Sequence, residues 1–261
     1  MAKRDQQKGG HDALEATRRE VKRRPRAAPP LFRLTRLLLE RGDPEARAWL
    51  PRLDAFPDYA AGWSELGDTL LRLARPEAAQ DCFERALASE HAPLTARLGA
   101  ATCHLARNAP QQAIDYLEAA GGEAAADPRT LGLLGKARYA AGKPADAEPA
   151  LLAALEANPN DAGSWYRLGL VRHDLGQYAE AAAAYQRALA SDSDAIRREA
   201  AFNRGVALQA SGQRDPAVEA YREAVRLDPD CTMRAIQALS SSASGLLWLN
   251  MAAARRFLGA D

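Results

Sequence analysis

The sequence predicts an all-α fold, a solenoid of stacked antiparallel helix pairs. The first observation is a small residue that recurs every 34 residues, at Gly67, Ala101, Gly135 and Gly169. The second is a turn residue that follows this position at a nearly constant distance. The third is that each unit holds two short amphipathic stretches. A single pair cannot bury its own apolar side, so the units must stack on copies of themselves.

Residues 162–195 show the unit most clearly. Its first helix is predicted by side chains at i, i+3, i+4 and i+7 on one face: Trp165, Leu168, Gly169 and Arg172. Gly176 ends that helix, because a helix end often needs a residue that tolerates a positive φ. The second helix carries a small, a large and a small residue on one face: Ala181, Tyr185 and Ala188. We therefore expect small residues to pack against large ones along each pair.

The turn position recurs as Gly42, Ala74, Asn108, Gly142, Gly176 and Gly212. Asn108 fits this role, because asparagine tolerates the left-handed region better than other residues with a side chain. Ala74 fits least well, and we expect it to close its turn in another way.

These positions resemble the pattern of the tetratricopeptide-repeat family, in which Trp-Leu-Gly-Tyr is followed by Ala-Phe-Pro. The best matches are Trp63-Leu66-Gly67 with Ala79-Phe83, and Trp165-Leu168-Gly169 with Ala181-Tyr185. The resemblance extends over residues 28–231. It implies a right-handed superhelical solenoid of six repeats: 28–59, 60–93, 94–127, 128–161, 162–195 and 198–231.

Residues 1–27 precede the repeats and are basic. Nine Lys and Arg side chains stand against four Asp and Glu in this arm. Asp12 and Glu15 resemble a capping box, so we expect a helix over 13–24, preceded by residues 1–10 without regular structure. The arm is a solvated segment, or half of a leading hairpin with a solvated outer face, or a contact for RNA, DNA or an acidic lipid surface. It lacks aromatic residues for base stacking, which weakens the nucleic-acid interpretation.

Residues 232–261 leave the repeat pattern. They predict a helix over 233–239 and a second over 244–258. The second helix is apolar over more than half its circumference: Leu246, Leu247, Trp248, Leu249, Met251, Phe257 and Leu258. It either folds back as a cap on the last repeat or docks on a partner, because large exposed apolar patches mark interfaces.

The composition excludes several classes of function. The net charge is +1, so no global field attracts nucleic acid or membrane. The three cysteines are odd in number and form no C-x-x-C pair, which favours reduced thiols. No secretory signal and no apolar run long enough to span a membrane is visible, so we expect a cytoplasmic protein. No catalytic motif is found, and we expect no enzyme activity, cofactor, metal or small-molecule substrate.

The resemblance also implies where a partner would bind. In the family, first helices line a concave groove that holds a peptide or a partner helix. The richest stretch of this groove runs from Arg129 to Asn203. The candidate binding residues are Arg129, Lys136, Tyr139, Tyr166, Arg167, His173, Phe202, Asn203 and Gln209. This mixture suits a peptide with an acidic group and an apolar residue; the alternative is that these side chains merely face solvent.

Some proteins of the family bind the C-terminal carboxylate of a chaperone with a clamp of Lys, Asn and Arg side chains. We do not expect that clamp here, because Tyr166 and Phe202 occupy positions where its first lysine would stand.

The sequence therefore predicts a non-enzymatic scaffold or adaptor that binds a protein or peptide in this groove. Two alternatives remain open at this point. One is an accessory domain or subunit of an enzyme complex that docks through the C-terminal apolar helix. The other is binding of nucleic acid or an acidic surface through the basic arm.

Overall fold

A computed structural model describes residues 2–241 and 251–259 of the chain. Within these ranges the backbone forms sixteen α-helices, one 3₁₀ turn and no β-strand. The predicted all-α class is thereby confirmed. The helices belong to two compact units, residues 1–125 and 126–261.

The first unit contains seven helices, and α8 (Glu123–Ala126) follows at its end. Helix α2 packs against α1, α3 and α4, and the later helices pack in sequence, α4 on α5, α5 on α6 and α6 on α7. Their bounds are α1 Ala2–Arg23, α2 Ala28–Glu40, α3 Ala46–Leu53, α4 Ala60–Arg72, α5 Pro76–Leu87, α6 Leu94–Ala106 and α7 Pro110–Glu118.

The second unit continues the alternation of first and second helices. Each helix packs on the next, and α11 also contacts both α9 and α13. The bounds are α9 Pro128–Ala140, α10 Pro144–Ala157, α11 Ala162–Asp174, α12 Tyr178–Ala188, α13 Asp194–Ala210, α14 Arg214–Leu227, a 3₁₀ turn Pro229–Cys231, α15 Thr232–Ser241 and α16 Met251–Leu258.

The small residues of the first helices lie against the large residues of the second helices, as predicted. A Cβ atom on Gly169 would lie 2.5 Å from the ring of Tyr185, and one on Gly67 would lie 2.7 Å from the ring of Phe83. Both rings are almost completely buried. Interiors are close-packed, so a void or an extra methyl group here costs stability. The glycines are therefore required by the close approach of the paired helices.

The turns between paired helices share one geometry. At Gly176 the φ angle is +75°, and the amides of Gly176 and Gln177 donate to the carbonyls of His173 and Arg172 at 3.0 and 2.8 Å. These two bonds satisfy carbonyls that the helix end would otherwise leave unpaired. Asn108 adopts the same region, with φ +56°.

Ala74 uses this geometry too, so the expectation of a different closure was wrong. Its φ is +55°, and the amides of Ala74 and Arg75 donate to the carbonyls of Leu71 and Leu70 at 3.0 and 2.9 Å. The left-handed region costs an alanine roughly 1–2 kcal/mol. The two hydrogen bonds and the packing of α4 against α5 offset that cost.

The N-terminal helix begins earlier than the capping box predicts. Helix α1 runs from Ala2, so the expectation of no regular structure over residues 1–10 was wrong for residues 2–10. Leu14, Thr17 and Val21 are buried, and α1 packs against α2. Once this packed part has formed, extending the helix is far easier than nucleating it, and a sequence pattern alone does not reveal that extension.

The C-terminal helices cover the end of the second unit. Helix α16 packs against α14 and α15, and Ala254 and Leu258 are buried there. The guanidinium of Arg222 lies 4.6 Å from the centre of the Phe257 ring, and its Nε donates to the Phe257 carbonyl at 2.8 Å. Residues 251–258 thus pack on the last helix pair of the second unit and on α15. The remaining apolar residues of the predicted helix, Leu246, Leu247, Trp248 and Leu249, lie outside the described residues.

The three cysteines are buried and unbridged. Burial raises the pKa of the Cys82 thiol to about 12, and that of the Cys103 thiol to about 11, which keeps both protonated. They fill space as small apolar side chains do.

No helix within the described ranges is long and apolar enough to cross a bilayer.

Candidate functional site

The candidate binding residues lie on three neighbouring first helices of the second unit. Lys136 and Tyr139 belong to α9, Tyr166 and Arg167 to α11, and Asn203 to α13. All five side chains are half-buried. Because α11 contacts both α9 and α13, these residues form one surface, which we call the first-helix face.

The two cations Lys136 and Arg167 lie next to each other on this face. A Cβ atom on Gly132 would lie 2.9 Å from the hydroxyl oxygen of Ser164, so α9 and α11 touch at that level. Lys136 and Arg167 each follow one helical turn later on the same side. Burial and the charge of Arg167 lower the pKa of Lys136, and burial lowers the pKa of Arg167.

Neither cation has an ion pair or hydrogen bond with another described residue. The negative charge of the Asp161 carboxylate acts on Arg167 and opposes the effect of burial on its pKa. This carboxylate accepts the Gly163 amide at 3.0 Å and the Ser164 hydroxyl at 2.5 Å, where it caps α11. Asp161 therefore offsets part of the charge of this pair, which keeps a net positive charge.

Gly163 lets the Arg167 side chain lie close to the backbone of α11. A Cβ atom there would lie 3.1 Å from a terminal nitrogen of the Arg167 guanidinium. The guanidinium thus rests against the first turn of α11, and a side chain at position 163 would displace it.

A tyrosine, an aspartate and a histidine occupy the C-terminal end of the same face. The Tyr139 hydroxyl donates to Oδ2 of Asp174 at 2.8 Å, which links α9 to α11. Burial and the Asp174 carboxylate raise the pKa of Tyr139 to about 12, so its hydroxyl stays neutral. Nδ1 of His173 lies 3.5 Å from Oδ1 of Asp174, and its ring meets Tyr178 edge-on.

Tyr166 connects the middle of the face to α13. Its hydroxyl accepts a hydrogen bond from the Asn203 amide at 3.4 Å. Its ring lies 5.9 Å from that of Tyr185, at the centre of the packed seam. The packing on Tyr185 therefore fixes the position of the Tyr166 ring, while its hydroxyl stays at the surface. Rigid aromatic groups of this kind commonly anchor binding partners.

Three candidate residues are engaged within the chain. Phe202 is only 8% exposed, and the Arg234 guanidinium of α15 lies 4.2 Å from its ring centre. The Gln209 amide donates to the Ala238 carbonyl at 2.7 Å and accepts from the Tyr221 hydroxyl at 3.0 Å. Arg129 is 60% exposed, but two of its N–H groups bind the Asp127 carboxylate at 3.0 and 2.9 Å.

Sequence reasoning missed Asp174, Ser164 and Arg234. Asp174 follows Tyr139 by one repeat length and one residue, so the repeat period could have identified it as a neighbour of Tyr139. Arg234 lies beyond the last repeat, and no signal placed it against α13. Within the described ranges there is also no group of three or more His, Cys, Asp or Glu that could hold a metal ion.

The helices are paired, each turn within a pair holds a residue with a positive φ, and glycines of first helices pack against aromatic rings of second helices. These features define a helical repeat protein. Family models described as "Tetratricopeptide repeat" match residues 64–128, 133–196 and 198–231. The chain belongs to the tetratricopeptide-repeat family. Proteins of this family generally mediate protein–protein interactions.

Solved structures of the family share the fold. YrrB, described as a TPR protein with an unusual peptide-binding site, has 23% identity and a TM-score of 0.56, and the match covers 72% of this chain and 96% of YrrB. TTC0263 from Thermus thermophilus has 25% identity and a TM-score of 0.54, with 69% and 98% covered. The C-terminal part of a repeat protein from Cytophaga hutchinsonii has 15% identity and a TM-score of 0.63, with 90% and 96% covered. No curated protein sequence matches the chain.

Proposed function

We propose that this chain is a non-enzymatic adaptor that holds an extended segment of a protein partner on its first-helix face. The observation that carries the proposal is the position of the polar groups of Lys136, Arg167, Tyr166 and Asn203. These side chains are half-buried and belong to three adjacent helices, α9, α11 and α13. Polar and aromatic groups on a rigid support are typical of binding surfaces.

The family relationship supports this function independently of the residues. YrrB is a member with a reported peptide-binding site, and its likeness to this chain establishes the fold alone. The particular contacts are therefore argued from this chain's own side chains. Phe202 and Gln209 are not included among them, because α15 engages both.

A peptide-display selection followed by affinity measurement tests the proposal. The double substitution Tyr166→Phe with Asn203→Ala removes two surface polar groups and keeps the ring that packs on Tyr185. We expect selected peptides to bind this variant about tenfold more weakly, since each lost hydrogen bond contributes roughly 0.5–1.5 kcal/mol. Fluorescence anisotropy with labelled peptides measures the change.

The matched control is Glu180→Ala with Gln186→Ala, two exposed positions on the second helix α12. This variant should bind like the unaltered protein. Peptides that lose affinity equally for both variants, or a selection that yields no binding peptide, would contradict the proposal.

The basic helix α1 and the residues that follow it support a second candidate function, attachment to a polyanionic surface. The exposed cations of this segment form no ion pair with a described residue: Arg19, Lys22, Arg23, Arg24 and Arg26. The neighbouring carboxylates are used elsewhere, Glu20 by Arg33 at 3.3 Å and Glu15 by Arg18 at 3.3 Å. The apolar side of α1 is already buried, so attachment would be electrostatic.

Electrostatic attachment predicts a strong dependence on salt. Binding to phosphatidylserine vesicles or to duplex DNA should weaken by at least about tenfold between roughly 50 and 200 mM salt. The variant Arg19→Gln, Arg23→Gln, Arg24→Gln should lose the binding, whereas Arg41→Gln, Arg47→Gln, Arg75→Gln, with the same loss of charge, should keep most of it. Equal losses, or no salt dependence, would remove this candidate.

Docking through the C-terminal helix stays a prediction. Ala254 and Leu258 of α16 are buried within the chain and Met251 is 44% exposed, whereas Leu246, Leu247, Trp248 and Leu249 lie outside the described residues.

A further inference from the structure

Asp68 is a half-buried carboxylate on helix α4 of the first unit. It forms no ion pair or hydrogen bond with another described residue. Burial raises the pKa of Asp68, and the charge of Arg72 opposes this effect while that of Glu65 adds to it. A carboxylate that is partly removed from water is stabilised in its charged form by a cation close to it. An additional positive charge beside Asp68 would therefore be favourable.

The charged side chains next to Asp68 are already paired between α2 and α4. Glu65 and Arg72 lie one turn before and one turn after Asp68, on the same side of α4. Glu65 accepts a hydrogen bond from Arg36 of α2 at 3.2 Å. Arg72 donates to Glu40 of α2 at 2.9 Å. Each pair is neutral as a whole, so this row of side chains keeps the one negative charge of Asp68.

Helix α6 also packs on α4, and it presents uncharged side chains at the level of Asp68. The hydroxyl oxygens of Ser64 and Thr95 lie 2.9 Å apart, which sets the register of the two helices. One helical turn further, Asp68 of α4 lies at the level of Leu98 and Thr102 of α6. Leu98 is half-buried, and the Thr102 hydroxyl donates to its carbonyl at 2.8 Å.

The two basic residues of α6 are directed towards α7 instead. Arg97 donates to the carbonyl of Tyr116 at 3.3 Å. The ring of His104 lies 4.9 Å from the ring of Tyr116. Neither side chain therefore pairs with Asp68.

A lysine or arginine side chain of a partner matches this position. Its single positive charge balances the one negative charge that remains, and its N–H groups donate to a carboxylate in charge-assisted hydrogen bonds. Its aliphatic stem can lie along Leu98, as long cationic side chains commonly cover apolar surface. An acidic residue would add a like charge instead, and an apolar residue would remove more water from Asp68 without pairing it.

We infer that Asp68 binds a lysine or arginine side chain of a protein partner. This contact belongs to the first unit alone. It goes beyond the proposed function, which concerns α9, α11 and α13 of the second unit.

Parallel selections from a peptide-display library test the inference on the full chain. The library is panned on the unaltered protein and on the variant Asp68→Asn, which removes the charge and keeps the size of the side chain. Peptides with a lysine or arginine should be enriched on the unaltered protein relative to this variant. In such a peptide, replacing the basic residue with uncharged norleucine should weaken binding to the unaltered protein about fivefold and leave binding to Asp68→Asn unchanged.

The control Asp81→Asn removes an exposed carboxylate from the second helix α5 and should behave like the unaltered protein. Thermal melts should show no lower melting temperature for Asp68→Asn, because its carboxylate has no partner among the described residues. A lower melting temperature, no enrichment of basic peptides, or an equal effect of norleucine on Asp68→Asn would overturn the inference. These results leave the proposed function standing, because it is tested by Tyr166→Phe with Asn203→Ala. A selection that yields no binding peptide would contradict both.

Discussion

Replacing Tyr185 with alanine is expected to lower the free energy of unfolding by about 3–5 kcal/mol. Its side chain is only 1% exposed, and its ring fills the space that Gly169 leaves open at 2.5 Å. The substitution would open a cavity between α11 and α12 and remove the support behind Tyr166. Because neighbouring repeats stabilise one another, the loss should spread to adjacent pairs. Equilibrium unfolding in urea, followed by circular dichroism, measures the change.

Two controls separate packing from polarity in this experiment. Tyr185→Phe keeps the ring and should change the free energy of unfolding by less than about 1 kcal/mol. Gln186→Ala alters an exposed neighbour and should stay within about 0.5 kcal/mol. A Tyr185→Ala protein that unfolds like the Gln186→Ala protein would mean that the assigned seam does not stabilise the repeats.

Replacing Gly99 with alanine should destabilise the first unit by about 1–3 kcal/mol or more. The new Cβ atom would lie 2.2 Å from Cζ of Phe83, a ring that is completely buried. The same ring also touches Gly67, so it is held between two first helices and has no free space to move into. One added methyl group must therefore push α4, α5 and α6 apart.

The control for Gly99→Ala is Gly121→Ala. No atom lies within 4 Å of a Cβ built on Gly121, and its φ is not in the left-handed region. This substitution should be neutral or slightly stabilising, by up to about 1 kcal/mol, because it restricts the unfolded chain. Equal melting temperatures for the two variants would contradict the packing described for Phe83.

The repeat architecture could be predicted because its physical causes recur at fixed spacing. Gly169 and Tyr185 belong to one seam, and the same pairing returns as Gly67 with Phe83. Ala74 could not be predicted correctly, because residue type alone argues against a positive φ. The energy gained by packing α4 on α5 decides that turn, and such a tertiary effect does not appear in a local pattern.

The candidate site could be predicted only in part. Lys136 and Arg167 follow from their repeat positions, but the carboxylate that acts on Arg167 is Asp161, a residue outside the repeat pattern that also caps α11. Phe202 and Gln209 have the right positions, yet α15 engages both through Arg234 and the Ala238 carbonyl. The sequence pattern ends before α15, so no periodicity placed that helix against α13.

Site-specific photo-crosslinking tests the central claim, that the first-helix face holds the partner segment. A benzophenone side chain is placed either at His173, on α11, or at Gln186, on the opposite side of the α11–α12 pair, and a selected peptide is added before irradiation. The account predicts a crosslinked product from position 173 and none above background from position 186. A product from position 186, or none from position 173 with a peptide that binds, would contradict it.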